Sequence, residues 1–140
     1  MKQGLKLTAI GFIGGLVLMG VLGVVRSLTG STAYHLLFNF DYIPTINELR
    51  PVWFFGYVFH FLTCIISVLS LYYILKTGKL HLKISPYILV FTVGGAALFF
   101  LTALSHQPPA ANDLLAWLYW TGGHAIFGTV VGVLIKRWNV

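Results

Sequence analysis

Two histidines, His60 and His124, are the side chains in this sequence whose type and setting could do chemistry. Each lies inside a long apolar run, where ionisable groups are costly and tend to be functional. Their surroundings echo one another. VWFFGYVFH (52–60) and AWLYWTGGHAIF (116–127) align at an offset of 64 residues, matching Trp53 with Trp117, Phe55 with Tyr119 and His60 with His124. Two imidazoles could hold a metal ion or the iron of a haem, or pass protons. A metal would want more ligands, and His106, at the rim, is the only nearby reserve. No carboxylate falls within a span, and no cysteine haem-attachment motif, phosphate loop or catalytic triad is present. These absences weigh against a hydrolase or phosphotransferase. The aromatic clusters invite a flat hydrophobic ligand such as a quinone or porphyrin, with Trp53, Tyr57, Trp117 and Trp120 as candidate contacts beside the histidines. An aromatic belt at the membrane boundary explains the same clusters.

The elements that must position these residues follow from composition. Of 140 residues 58% are hydrophobic and only 9% charged, with mean hydropathy +0.87. A soluble domain carries about 25% charged residues, so this chain belongs in a bilayer. The net charge of +6 does not point to nucleic acid, because the basic residues sit at the ends of apolar runs rather than in a stripe. Cys64, the single cysteine, lies mid-span and reads as a small apolar side chain.

The expected fold is all-α: one domain, a four-helix transmembrane bundle, with spans at residues 7–25, 52–75, 86–104 and 114–135. Each is long enough to cross a ~30 Å hydrocarbon core. The first is longer in its apolar part than a secretory signal, so it reads as a retained span. Residues 26–51 form a long loop in which 33–40 is apolar, aromatic and too short to span: an interfacial or re-entrant turn. His35 within it reads as solvated. Asn47 or Glu48, ahead of Pro51, can help start the second helix, Pro86 opens the third, and Asn112 or Asp113 caps the fourth. With both termini in the cytoplasm, Lys2, Lys6, Lys76, Lys79, Lys83, Lys136 and Arg137 lie inside, leaving Arg26 and Arg50 outside with all three acids. The positive-inside rule selects this orientation in a cell membrane.

Glycines mark where helices can approach closely, since lipid offers no hydrophobic drive between spans. Gly11 and Gly15 form one GxxxG pair, with Gly23 near their face, and Gly128 and Gly132 continue the face of His124. Gly56, His60, Thr63, Cys64, Ser67 and Ser70 share a small, polar stripe. Gly14-Gly15 matches Gly94-Gly95 at an offset of 80, Ile13 and Leu18 matching Val93 and Leu98. The two halves then read as a parallel repeat of two hairpins about an axis along the membrane normal. The 16-residue difference between the offsets is an insertion in the first outer loop. Counting nine residues from Pro51 and from Leu115 places both imidazoles at one level near mid-bilayer, facing the bundle.

Gly123-His124-x-x-Phe127, Gly56-Tyr57-Val58-Phe59 and the proline loop before the last helix together resemble the YagU-like small bacterial inner-membrane proteins. The resemblance covers residues 11–137. It departs at Tyr57, where the family pattern leads one to expect a histidine directly after the glycine; here the histidine comes three residues later. It implies the same architecture and an association with acid or envelope stress tolerance.

Two functions follow. In one, the bundle binds a small ligand, metal or proton at the His60–His124 pair without catalysis. In the other, it is an accessory subunit that docks on itself or on a larger membrane partner through glycine faces, self-association running through Gly11, Gly15 and Gly23.

Overall fold

A computed structural model describes residues 2–46, 48 and 54–140. Four helices carry the fold: α1 (Gln3–Thr29), α2 (Phe55–Thr77), α3 (Ser85–Leu98) and α4 (Leu114–Arg137). A 3₁₀ cap (Thr32–Phe38) follows α1, and a 3₁₀ extension (Phe99–Leu104) lengthens α3 to 20 residues of membrane-crossing length. All four are long and apolar enough to span, and the chain is a multi-pass membrane protein. Their outward faces confirm the solvent they need. Phe12, Leu16, Leu62, Ile66, Leu89 and Leu118 are all exposed, a surface that water would punish and hydrocarbon accepts.

Local chemistry sets the helix ends. Gly30 takes φ 73 and turns its N–H back to the Arg26 carbonyl, stopping α1. Pro86 sits in the first turn of α3. Asp113, rather than Asn112, caps α4, its side chain accepting from the Ala116 N–H at 2.9 Å. The expected start signals at Asn47 and Pro51, together with Arg50 and Trp53, lie outside the described residues. α1 extends beyond the span read from hydropathy at both ends, because Gln3, Lys6, Arg26 and Ser27 continue the helix past its apolar part.

Both described chain ends meet at one end of the bundle, here the terminal end. Lys6 Nζ donates to the Trp138 carbonyl at 2.8 Å, and the buried Tyr72 hydroxyl donates to the Val140 carbonyl at 2.9 Å. The 3₁₀ cap and the Pro108-Pro109 loop lie at the opposite, loop end.

Helix packing is asymmetric. α2 packs on α1, α1 on α4 and α4 on α3, while α2 and α3 barely touch. Glycines make each close contact. A methyl group at Gly11 would stand 2.7 Å from the Ile65 Cα, and one at Gly128 would stand 2.7 Å from the Tyr87 carbonyl oxygen. Gly132 lies under Ile84, Gly14 under Phe127, Gly123 under Leu18 and Leu22, and Gly56 against Phe38 of the cap. Gly23 rests more loosely on Tyr34. Gly94 departs from the expected packing set, since nothing lies within 4 Å of where its Cβ would be.

Gly11 and Gly15 are thus taken up by α2 within the chain, and the GxxxG face expected to pair two copies is already covered. Gly128→Ala should lower stability by about 1–3 kcal/mol through overpacking. Gly94→Ala should be neutral or stabilising, by up to roughly 1 kcal/mol from helix propensity. Unfolding in mixed micelles reads both, and equal behaviour of the two variants would contradict the α3–α4 contact.

Candidate functional site

His60 and His124 line one cavity of about 110 Å³. Its wall comes from every part of the bundle. α1 gives Leu18, α2 gives Phe59, His60, Thr63 and Cys64, and α4 gives Trp120 and His124. Leu98 and Leu101 come from α3 and its extension, and the cap closes the loop end with Leu36 and Leu37, beside Tyr42. The residues expected to be an interfacial or re-entrant turn pack on α1, α2 and α4 as a lid over the cavity. Its Ala33, Leu36 and Leu37 are buried against the bundle, while its His35 is exposed. Partial burial, with the nearby Arg26 charge adding to it, lowers the His35 pKa below the usual imidazole value.

Each imidazole is fixed by a backbone carbonyl. His60, 4% exposed, brings Nε2 within 3.0 Å of the Gly15 carbonyl across the α1–α2 contact. A carbonyl only accepts, so Nε2 carries the hydrogen. In the neutral ring Nδ1 is then a bare acceptor, with the Cys64 sulfur 3.9 Å away. His124 brings Nδ1 within 2.9 Å of the Trp120 carbonyl one turn back. The same reasoning leaves its Nε2 an acceptor, and that atom has no protein partner among the described residues. The ring of His124 lies over the Gly95 backbone, where even a methyl group would come within 2.5 Å of its Cγ, and it packs on Trp120 at 4.4 Å between centroids. Trp120 in turn donates Nε1–H to the Gly95 carbonyl at 2.9 Å.

The internal repeat is visible in these contacts. His60 sits on Gly15 in the first hairpin and His124 on Gly95 in the second, the pairs related by the offsets of 64 and 80. The expected common depth is corrected by the register. His60 lies level with Gly15, and Gly123 lies level with Leu18 and Leu22. His124 therefore stands about one turn, roughly 5 Å, nearer the loop end.

The remaining candidates divide. Trp120 lines the cavity. Trp117 does not; its Nε1–H donates to the Ala96 carbonyl at 3.1 Å and clamps α4 to α3. Tyr57 is 45% exposed and stacks on Phe38 of the cap. Trp53 falls outside the described residues. His106 is exposed in the loop, its backbone N–H donating to Asp41 at 3.3 Å. Among the described residues no three His, Cys, Asp or Glu side chains come together as a metal set. The haem reading fails on size as well. A cavity of 110 Å³, below the ~150 Å³ of one that takes up benzene, cannot enclose a porphyrin, and His60 Nε2 is already held by Gly15. Sequence reasoning missed Leu36, Leu37, Tyr42, Leu98 and Leu101, whose loop and helix-end positions carry no periodic signal. No family model, no curated protein and no solved structure matches the chain.

The His60–Gly15 bond is the interhelical hydrogen bond nearest the middle of α1. His60→Leu should lower stability by about 1 kcal/mol, in line with such bonds in membranes. An unchanged SDS-unfolding midpoint would mean that Gly15 does not hold the ring.

Proposed function

We propose that this protein is a small-molecule binder of the membrane, with its site in the cavity shared by His60 and His124. The observation that carries this reading is the unpartnered Nε2 on His124, whose ring lines a largely apolar cavity. Polar atoms inside a membrane normally find partners, so an acceptor left open beside free space is fit to hold a ligand. The cavity holds no carboxylate and no activated nucleophile, and the chain is read as binding without catalysis. The docking-subunit reading is weaker, because the glycines that would carry it pack inside the chain.

The setting completes the proposal. The resemblance to YagU-like proteins supports a bacterial inner membrane as the setting and a role in acid or envelope stress. The positive-inside rule puts the terminal end in the cytoplasm, so the capped cavity lies in the outer half of the bilayer. In a Cys64→Ser background, a cysteine at Gly78 should label only from the cytoplasmic side, and labelling from outside would reverse the orientation.

The binding reading is tested on protein purified from its own membranes under mild detergent. Native mass spectrometry should find a non-protein adduct that Leu101→Trp, which fills the cavity, removes. The absorption spectrum should show no Soret band. A bare wild-type chain would overturn the binding reading, and a Soret band would overturn the exclusion of haem.

A further inference from the structure

The incomplete wall of the cavity and the fixed imidazole tautomers together specify a ligand class. In a two-fold bundle of repeated hairpins the α1–α4 and α3–α2 contacts would be equivalent. The first is closed, with Gly14 under Phe127 and Val131, and Gly123 under Leu18 and Leu22. By the offsets of the repeat, Gly94 is the counterpart of Gly14 and Phe59 the counterpart of Gly123. Gly94 meets nothing within 4 Å, and the ring of Phe59 stands where the first interface has no side chain. The α2–α3 side is thereby held open, and the cavity occupies it. Thr63 and Leu98 both line the cavity and are exposed, Leu98 by 55%. The opening faces neighbouring hydrocarbon rather than either aqueous side.

Polar groups in the cavity are few. His124 Nε2 is a bare acceptor, and His60 Nδ1 is an acceptor next to the Cys64 thiol. The Thr63 hydroxyl is spent on the Phe59 carbonyl at 2.7 Å. The Tyr42 hydroxyl, in the same wall, makes no hydrogen bond among the described residues. A ligand hydroxyl answers this set, donating to His124 and able to accept from Tyr42. A ketone or ether oxygen offers the imidazoles nothing, since acceptor would meet acceptor. Size narrows the class further. A closed cavity of about 150 Å³ takes up benzene, and this one, at 110 Å³, is slightly smaller but open on one side.

We infer that the cavity takes the hydroxylated ring of a membrane-dissolved phenol or hydroquinone, entering sideways between α2 and α3 with its tail left in lipid. This rests on the proposal that the His60–His124 cavity is a binding site. The ring lies against Trp120 and Phe59, its hydroxyl donates to His124 Nε2, and the tail leaves past Leu98 and Thr63.

Equilibrium partitioning into nanodiscs with and without the protein subtracts the solubility of the probe in lipid. The probes are 4-butylphenol, its methyl ether and butylbenzene. The phenol should bind about fivefold more tightly than the ether, the worth of one ~1 kcal/mol hydrogen bond. His124→Phe should erase that preference while leaving butylbenzene bound. Leu98→Trp, on an exposed edge where folding is not at stake, should weaken all three probes by narrowing the opening. Equal binding of phenol and ether would sink the hydroxyl specificity and leave the site itself standing. A preference surviving His124→Phe would place the hydroxyl elsewhere and overturn the inference. Unchanged binding in Leu98→Trp would overturn the lateral route. No probe above the lipid background would bring down the site and the inference together.

Discussion

Apolar helices in hydrocarbon gain nothing by merely touching, because lipid tails are as apolar as leucine. Their association depends on backbones coming close enough for dense van der Waals contact and for polar groups to reach across. Here that closeness occurs at glycines. Gly11 lets α2 settle on α1, Gly14 and Gly123 let α4 settle on α1, and Gly128 and Gly132 let α3 settle on α4. The polar contacts are consequences of the same approach. The Gly15 carbonyl can be reached by His60, and the Gly95 carbonyl by Trp120, only because no side chain stands between. Adding a methyl group at these points would push helices apart and strand the groups that now meet.

The same logic explains where the bundle is not closed. One interface of the repeat pairs bulk against glycine twice, whereas by the same offsets its counterpart sets Phe59 against Leu98 and leaves Gly94 opposite only Thr63 and Ser67. With Phe59 where Gly123 stands in the other half, α2 and α3 stay apart and Gly94 faces open space. The 16 extra residues of the first loop then acquire a purpose. Their 3₁₀ cap packs on α1, α2 and α4, and buries Leu36 and Leu37 over the end of the gap. Without that lid, the space beneath would open to headgroups and water. With it, that end is covered, and the exposed rim of the cavity among the described residues is at Thr63 and Leu98, on the faces of α2 and α3.

Much of this was legible in the residues before any coordinates. Hydropathy marked four spans, since nothing else in a bilayer tolerates runs so poor in charge, but it traced the depth of the hydrocarbon rather than the ends of the helices. α1 therefore outruns its apolar part at both ends. The offsets of 64 and 80 matched the histidines and the glycine pairs separately, and only the structure brings His60 to the Gly15 carbonyl and His124 onto Gly95. What the pattern could not disclose was which helix a glycine face would meet. Gly11 and Gly15 read equally well as a surface for a second copy, until α2 is seen to cover them. Trp117 and Trp120 differ by less than one turn and both hydrogen-bond α3, yet Trp120 also walls the cavity and Trp117 does not. Belt composition cannot separate those roles. The gap was not read from the sequence, because the standing of Phe59 at the place of Gly123 has meaning only once α1 and α4 are seen to close and α2 and α3 are not.

Histidine suits this position for a reason that neither a carboxylate nor an amide would share. A carboxylate would bring a charge into hydrocarbon with no cation to pair it. A neutral amide presents both donor and acceptor from one freely turning group, and it can flip to meet whatever is near. The imidazole has two nitrogens on opposite sides of a rigid ring. One is pinned to a carbonyl, that of Gly15 for His60 and that of Trp120 for His124, and the pinning decides the state of the other. A backbone carbonyl is an acceptor that no rotation can turn into a donor. The hydrogen is therefore committed on the packed side of each ring, and the exposed nitrogen of His124 is an acceptor by default. The polarity of the cavity is thus set by the helix backbone rather than by the cavity wall, through two rings that carry it inward.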